Sequence, residues 1–435
     1  MTDWIGDLFT SDTGWSHLES LVDVRDRMAG SAGEREAAAA TRDALAAACG
    51  DAWFDEFSIQ GWTRGDSAVE TPDGVEDCIG LPRSPNGDVT GEFVDLGYGL
   101  PRDFEEADLD GKVVMVASDV PDWYDRYLHR REKYYHAVEA GAAGFVYRNH
   151  VEGCLPPTGS VGTSEHPLGE IPAVGVSKEV GARLARKYDG EDVGISVTAD
   201  VHDATSQNVH ATLGPDTDEE LLVTSHVDAH DIAEGAMDNG AGTAMVVELA
   251  HALADREADL DTEVHFVCFG AEEVGLQGSA YDAEHRERDD VRAVLNLDGV
   301  VRGRTLSFHA HHFDALADAA RGVAADFDHP VSVSPDMNPH SDHWEYVKFG
   351  VPGYHVASDT EGAGRGWGHT FADTLDKLEV RDFREQAILL TALAVELASD
   401  EFAVAHASEA DVAAALEDEA LAEGMKITGD WPYDD

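Results

Sequence analysis

Basic residues are what this chain most lacks. Lys and Arg number 30 against 87 Asp and Glu in 435 residues, a formal net charge of 30 − 87 = −57. So few cations argue against nucleic-acid binding. The acids are scattered along the whole length, so they form a solvated acidic surface and not a tail or a patch for one basic partner. Self-repulsion opposes compaction in dilute buffer, but at ~1 M salt the Debye length is about 3 Å and most of it disappears. The expectation is a protein adapted to a salt-saturated interior, as in halophiles. Cysteine is scarce too: Cys49, Cys78, Cys154 and Cys268 are widely spaced and form no Cys-x-x-Cys pair. That argues against a disulfide scaffold and a thiolate zinc site. Long apolar runs are absent, none approaching the ~18 residues of a membrane span. Residues 1–7 are acidic without an apolar core, unlike a secretory or twin-arginine leader, so the expected location is cytoplasmic.

What is present suffices for two domains. Residues 16–49 read as two helices, the second from Glu34 to Cys49 after a Gly-Ser-Ala-Gly break, and 52–70 reads as an aromatic-rich strand. From Gly111 an α/β rhythm begins: the buried strand Lys112–Val116, a helix ending near Ala140, a turn at Gly141–Gly144, the strand Phe145–Tyr147 and the strand Ile171–Ser177. This stretch, roughly 85–200, resembles the protease-associated domain, which implies a module that gates or extends a substrate cleft. Beyond Gln207 a second α/β unit is expected, with strands near 221–225, 263–269, 291–297 and 351–356 and helices near 240–254 and 379–398. Strands separated by helices predict a mixed, mostly parallel sheet covered on both faces, with its site beyond the carboxyl ends of the strands. The expected division is a discontinuous domain of 1–80 with 205–405, an insertion of 81–204, and an acidic C-terminal helix and tail, 406–435, to which no function attaches.

Metal-capable residues end the strands of the second unit. His226 and Asp228 lie two apart in SHVD, so they project to one side of a strand, and a carboxylate there suits the second ring N–H of a ligating histidine. Asp238 stands among glycines in GAMDNGAG and reads either as a helix N-cap or as a carboxylate bridging two metals. Glu272 and Glu273 follow an apolar strand, where one can ligate while the other serves as general base. Asp298 ends the strand of NLDG, and His369 lies in the loop before HTFADT. Taken singly, each has a plainer reading, a solvated polar side chain or, for Asp238, the helix cap. His129, His202, His251 and His285 are set aside as solvated. Together, two histidines and three carboxylates make an N/O set suited to two zinc ions, with cobalt or manganese as substitutes.

In order and spacing, SHVD, GAMDNGAG, AEEVGLQGS, NLDG, SDH and HTFADTLDK resemble the motifs of the di-zinc aminopeptidase family that includes aminopeptidase Y and, more distantly, glutamate carboxypeptidase and the transferrin receptor. The resemblance covers about 205–400 plus the N-terminal helices, where Arg27–Ser31 is also similar. It implies His226 and Asp298 on one zinc, Glu273 and His369 on the other, Asp238 bridging, Glu272 as base and Asp228 orienting His226. It also implies a cis Asp238–Asn239 peptide and a supporting role for Ser341–His343. Several relatives have a tyrosine before the last histidine to stabilise the oxyanion. Gly368 stands there in this chain, leaving Tyr354, Trp367 or zinc alone for that task. The implied activity is release of N-terminal residues from peptide substrates. The rivals are a carboxypeptidase or other amidohydrolase on the same scaffold, for which Arg302, Arg304 and Arg365 are the available cations, and a non-catalytic binding relative. The sequence is silent on oligomeric state.

Overall fold

The computed structural model describes residues 3–124, 126–163, 166–360 and 366–433; Arg365 falls outside them. Four parallel strands, Glu263–Phe269, Glu220–His226, Val291–Leu297 and Gly353–Ser358, lie side by side in that order at the centre of the larger unit. Their side chains alternate between faces. Leu221 and Val223 enter the main core beneath the helices Thr13–Val22, Ala32–Cys49, Ala241–Ala254 and Val380–Leu397. Leu222 turns the other way, to Val267, Val294 and Tyr346. Leu306–His309 pairs antiparallel with Gly353–Ser358, and Val331–Ser334 closes that edge. The sheet is therefore mixed and covered on both faces, as expected. The last of the four expected strands starts at Gly353 instead of 351, because Pro352 has no N–H to give the ladder.

Local chemistry explains the helix boundaries. The Ser31 side chain caps Ala32–Cys49 by accepting the Glu34 N–H, and Gly50 ends the helix in the left-handed region with φ 87°.

A second group of parallel strands, Gly87–Asp95, Val113–Ala117, Gly144–Arg148 and Ala173–Val176, forms the smaller unit. Val113 and Met115 pack into one core, Val114 and Val116 into another on the opposite face. A long ribbon joins the two units. Trp53–Thr71 and Asp192–Leu213 pair antiparallel from Trp53 opposite His210 to Glu70 opposite Gly194. Asp192–Leu213 runs unbroken through 204–205, pairing with Glu263–Phe269 at one end and Gly87–Asp95 at the other.

The C-terminal part differs from the single helix expected. It holds two, Glu409–Asp418 and Ala422–Thr428, separated by Ala420 at φ 57°. The second packs on Arg130–Glu139 of the smaller unit, where Arg131 pairs with Asp430 at 3.0 Å. No helix among the described residues is long and apolar enough to cross a membrane.

Candidate metal centre and cleft

The parallel ladder sets the site. His226 is the last residue of its strand and lies opposite Phe269, so Glu272 and Glu273 emerge one turn beyond the same edge. Asp298 follows Leu297 at the end of the next strand. Asp238 enters from the loop before Ala241–Ala254, and its peptide bond to Asn239 is cis. The Asn239 side chain donates to Leu297 O at 2.8 Å and accepts the Gly242 N–H at 3.2 Å. Gly242 is required there, since a Cβ would stand 2.3 Å from Leu297 O. The glycines around Asp238 thus permit a close approach between backbone segments, and the N-cap reading of Asp238 falls away: Gly240 holds the cap position, and it is Asn239 that accepts an N–H of the first turn.

All seven residues singled out in the sequence are brought together. Asp238 reaches both histidines, with Oδ1 3.4 Å from His226 Nε2 and Oδ2 3.1 Å from His369 Nε2. Asp298 Oδ1 lies 3.9 Å and Glu272 Oε2 4.0 Å from His226 Nε2, and Glu273 Oε2 lies 3.4 Å from His369 Nε2. His226, Glu272 and Asp298 each offer one atom within 4.8 Å of the others, and so do His230, Glu273 and His369. His226 Nδ1 sits 3.0 Å from the Asp228 carbonyl and 3.5 Å from its carboxylate. The Asp228 carboxylate accepts the backbone N–H groups of both Glu272 and Glu273.

His230, Arg27 and Asp373 were not assigned from sequence. His230 is buried, with Nε2 2.9 Å from Glu273 Oε2. Arg27 is also buried. It donates to the carbonyls of Leu21, Val227, Glu234 and Gly235, tying the end of the His226 strand to the loop that carries Asp238. Asp373, inside the quoted HTFADT, accepts the Met237 N–H at 2.6 Å and the Asp238 N–H at 3.2 Å.

Negative charge is crowded here. Burial, reinforced by Asp238, pushes Asp373 up to about 7. Burial likewise raises Glu273 to about 7, Asp342 to about 8 and Glu34 to about 8, with Asp228 repelling all three. Burial opposes a charge on His226, yet Glu272, Asp228, Asp238 and Asp298 lift its pKa well above the usual value. Burial, with Arg130 adding to it, holds His230 down to about 3. Among the described residues, His226 Nε2, both ring nitrogens of His230 and Glu273 Oε1 are buried without a hydrogen-bond partner. Each such atom costs about 1–3 kcal/mol. A cluster of lone pairs and carboxylates of this kind fits cations.

The site opens into a cleft of about 1150 Å³. Its walls come from the strand ends, from the smaller unit (His129, Arg130, Thr158) and from the turn Asp418–Leu421. Two readings of the sequence are corrected here. His129 is not solvated: it lines the cleft, stacked on His340 at 5.0 Å. The C-terminal segment, to which no function was attached, supplies a wall. His202 and His285 are exposed, as expected. Tyr354 is excluded as an oxyanion donor, because it is fully buried and its hydroxyl donates to Leu316 O. Trp367 is 44% exposed, under Lys377 and off the cleft wall. His355 and Arg302 line the cleft beside Asp298. Ser341 accepts from Asn296, which itself accepts from Thr224 near the end of the neighbouring strand.

A mixed sheet covered on both faces, with histidines and carboxylates beyond its parallel strand ends, is the zinc exopeptidase fold. Residues 208–394 match the model of peptidase family M28, and residues 89–184 match that of the PA domain. Over 414 residues the chain is 25% identical to aminopeptidase YwaD of Bacillus subtilis (strain 168), covering 90% of this chain and 86% of that protein. It is 32% identical over 198 residues to leucine aminopeptidase 2 of Trichophyton rubrum, covering 44% of this chain and 37% of that one. Among solved structures, a zinc aminopeptidase from Bacillus subtilis superposes with TM-score 0.71 at 24% identity over 91% of this chain and 97% of that one. A peptidase M28 precursor from Shewanella amazonensis SB2B superposes with TM-score 0.76 at 20% identity, over 93% and 97%.

Proposed function

We propose that this protein is a two-zinc aminopeptidase that removes N-terminal residues from peptides. His226, Asp238 and Asp298 would hold one ion, and Asp238, Glu273 and His369 the other, with cobalt or manganese able to substitute. The observation that carries this reading is the two-sided position of Asp238, one oxygen toward His226 and the other toward His369. The partnerless buried nitrogens and the crowded carboxylates support it, as does the similarity to proteins named aminopeptidases.

When bound, such a pair of ions polarises the scissile carbonyl and makes hydroxide available near neutral pH. Glu272 takes the proton of the attacking water and delivers it to the departing amine. Its carboxylate lies on the cleft wall, where a general base is needed. Asp228 holds Glu272 and Glu273 in place through their N–H groups and fixes the ring of His226. Asp336, Asp418 and Glu419 on the wall favour a free α-ammonium group over a carboxylate. The acidic surface suits a salt-saturated cytoplasm, where the four unpaired thiols would stay reduced.

One observation favours the rival carboxypeptidase: Arg126, Arg130 and Arg302 line the same cleft. Arg126 is already engaged by both oxygens of Glu132, and Arg131, also on the wall, by Asp430, so the rival reading rests on Arg130 and Arg302. Aminoacyl anilides, their N-acetylated counterparts and N-blocked peptides with a free carboxylate separate the two. The assay is run in molar KCl, with and without chelator and zinc add-back. Cleavage of the free-amine substrates alone, lost with chelator and in Glu272→Gln, is the expected result. Activity confined to N-blocked peptides would establish the rival.

A further inference from the structure

His230 lies two residues past Asp228, in the loop that leads to Asp238. Its Nε2 stands 2.9 Å from Glu273 Oε2, yet no N–H is directed at that oxygen, and both ring nitrogens are buried without a hydrogen-bond partner among the described residues. Two electron-rich atoms that close, with no proton aimed between them, repel unless they share a cation. The ring also meets His369 edge-on, with centroids 4.5 Å apart at 85°. His369 Nε2 is 3.4 Å from the same Glu273 oxygen. Donors about 2 Å from a zinc ion in tetrahedral array are roughly 3.3 Å apart, and the spacings of 2.9 and 3.4 Å bracket that value.

We propose that His230 is a further metal ligand, a second imidazole on the ion held by Glu273 and His369. The inference rests on the two-metal reading of this site and deepens it. The two centres then differ in kind: one has the single imidazole of His226 among carboxylates, the other has two. Imidazole suits zinc, cobalt and copper, whereas carboxylate oxygens suit manganese and magnesium. The centre with His230 should therefore fill first with zinc and empty last under a chelator.

The test uses the full chain in molar KCl, stripped with chelator and reloaded with zinc, and read by zinc K-edge X-ray absorption, which counts imidazoles. With one equivalent, the wild-type ion should carry two imidazoles; with two equivalents, the mean should be about 1.5 per zinc, three histidines over two ions. His230→Ala and the more conservative His230→Gln should reduce these to about one and about one, and weaken the first zinc about tenfold or more in a chelator competition. His226→Ala, which strips the other centre, should leave the two-imidazole signature of the first equivalent intact. Circular dichroism identifies any variant that fails to fold, and His230→Gln keeps the side chain polar for that reason. Two bound zincs with the same imidazole count in the wild type and in folded His230→Gln would overturn the proposal while sparing the two-metal site. A folded wild type that takes up no zinc would overturn both.

Discussion

Asp228 accepts the backbone N–H of Glu272 at 3.0 Å, so the residue that steadies His226 also sets the position of Glu272, the proposed base. Its other oxygen takes the N–H of Glu273 at 3.1 Å. Asp228→Asn keeps the size but turns an amide donor toward one of these N–H groups. The expected result is a fall in kcat of about 10–100-fold with looser zinc. Steady-state kinetics and metal content on the same preparations check it; unchanged values for both would remove Asp228 from this role.

Arg27 spans four carbonyls from Leu21 to Gly235 and lies inside the acidic cluster, where burial lowers its pKa to about 10 while Asp373, Asp228, Asp238 and Glu273 oppose that shift. Arg27→Met keeps the aliphatic stem and strands all four acceptors. Its expected cost is about 3 kcal/mol or more, read by urea unfolding in molar KCl. A loss below about 1 kcal/mol would show that water replaces the guanidinium.

His17 packs against Thr41 with its Nε2 3.0 Å from the hydroxyl, and burial, aided by Arg27, lowers its pKa from 6.5 to about 4. Between those values the unfolded chain binds a proton that the folded chain refuses. The neutral ring therefore contributes fully above about pH 6.5, and that contribution is lost as the pH falls toward 4. His17→Gln should flatten the drop in stability between about pH 7 and about pH 4.5 by up to about 3 kcal/mol. Unfolding free energies of both proteins across that range give the answer. Parallel curves would mean that other groups carry the acid sensitivity.

The charge of −57 makes a prediction of its own. The thermal midpoint should rise steeply between about 0.1 and about 1 M KCl, while the Debye length shrinks from about 10 to about 3 Å, and then level off. Scanning calorimetry across that series measures it. A flat response would show that the acids are spaced widely enough to be tolerated without salt.

Much of the site was legible because strand ends are legible. An apolar run closed by a polar residue, as in Leu221–His226 or Val291–Asp298, marks both the strand and the edge where its chemistry collects. His230 gave no such sign, being one of 21 histidines in a loop with neither period nor flanking apolar run. His129 was set aside for the same reason, yet it lines a cleft shared between two units packed together. Tyr354 shows the reverse limit. It lies one residue from the cleft-lining His355, but strand alternation sends its side chain into the core. The wall at Asp418–Leu421 depends on a helix docked far away in sequence, through Arg131 and Asp430, and local pattern does not encode that contact.

That wall also limits the size of what the recess can hold. A recess of about 1150 Å³ walled by strand ends, a second unit and a C-terminal turn has room for a short stretch of extended chain, far less than a folded domain occupies. Selection then begins with diameter, before any side chain is recognised.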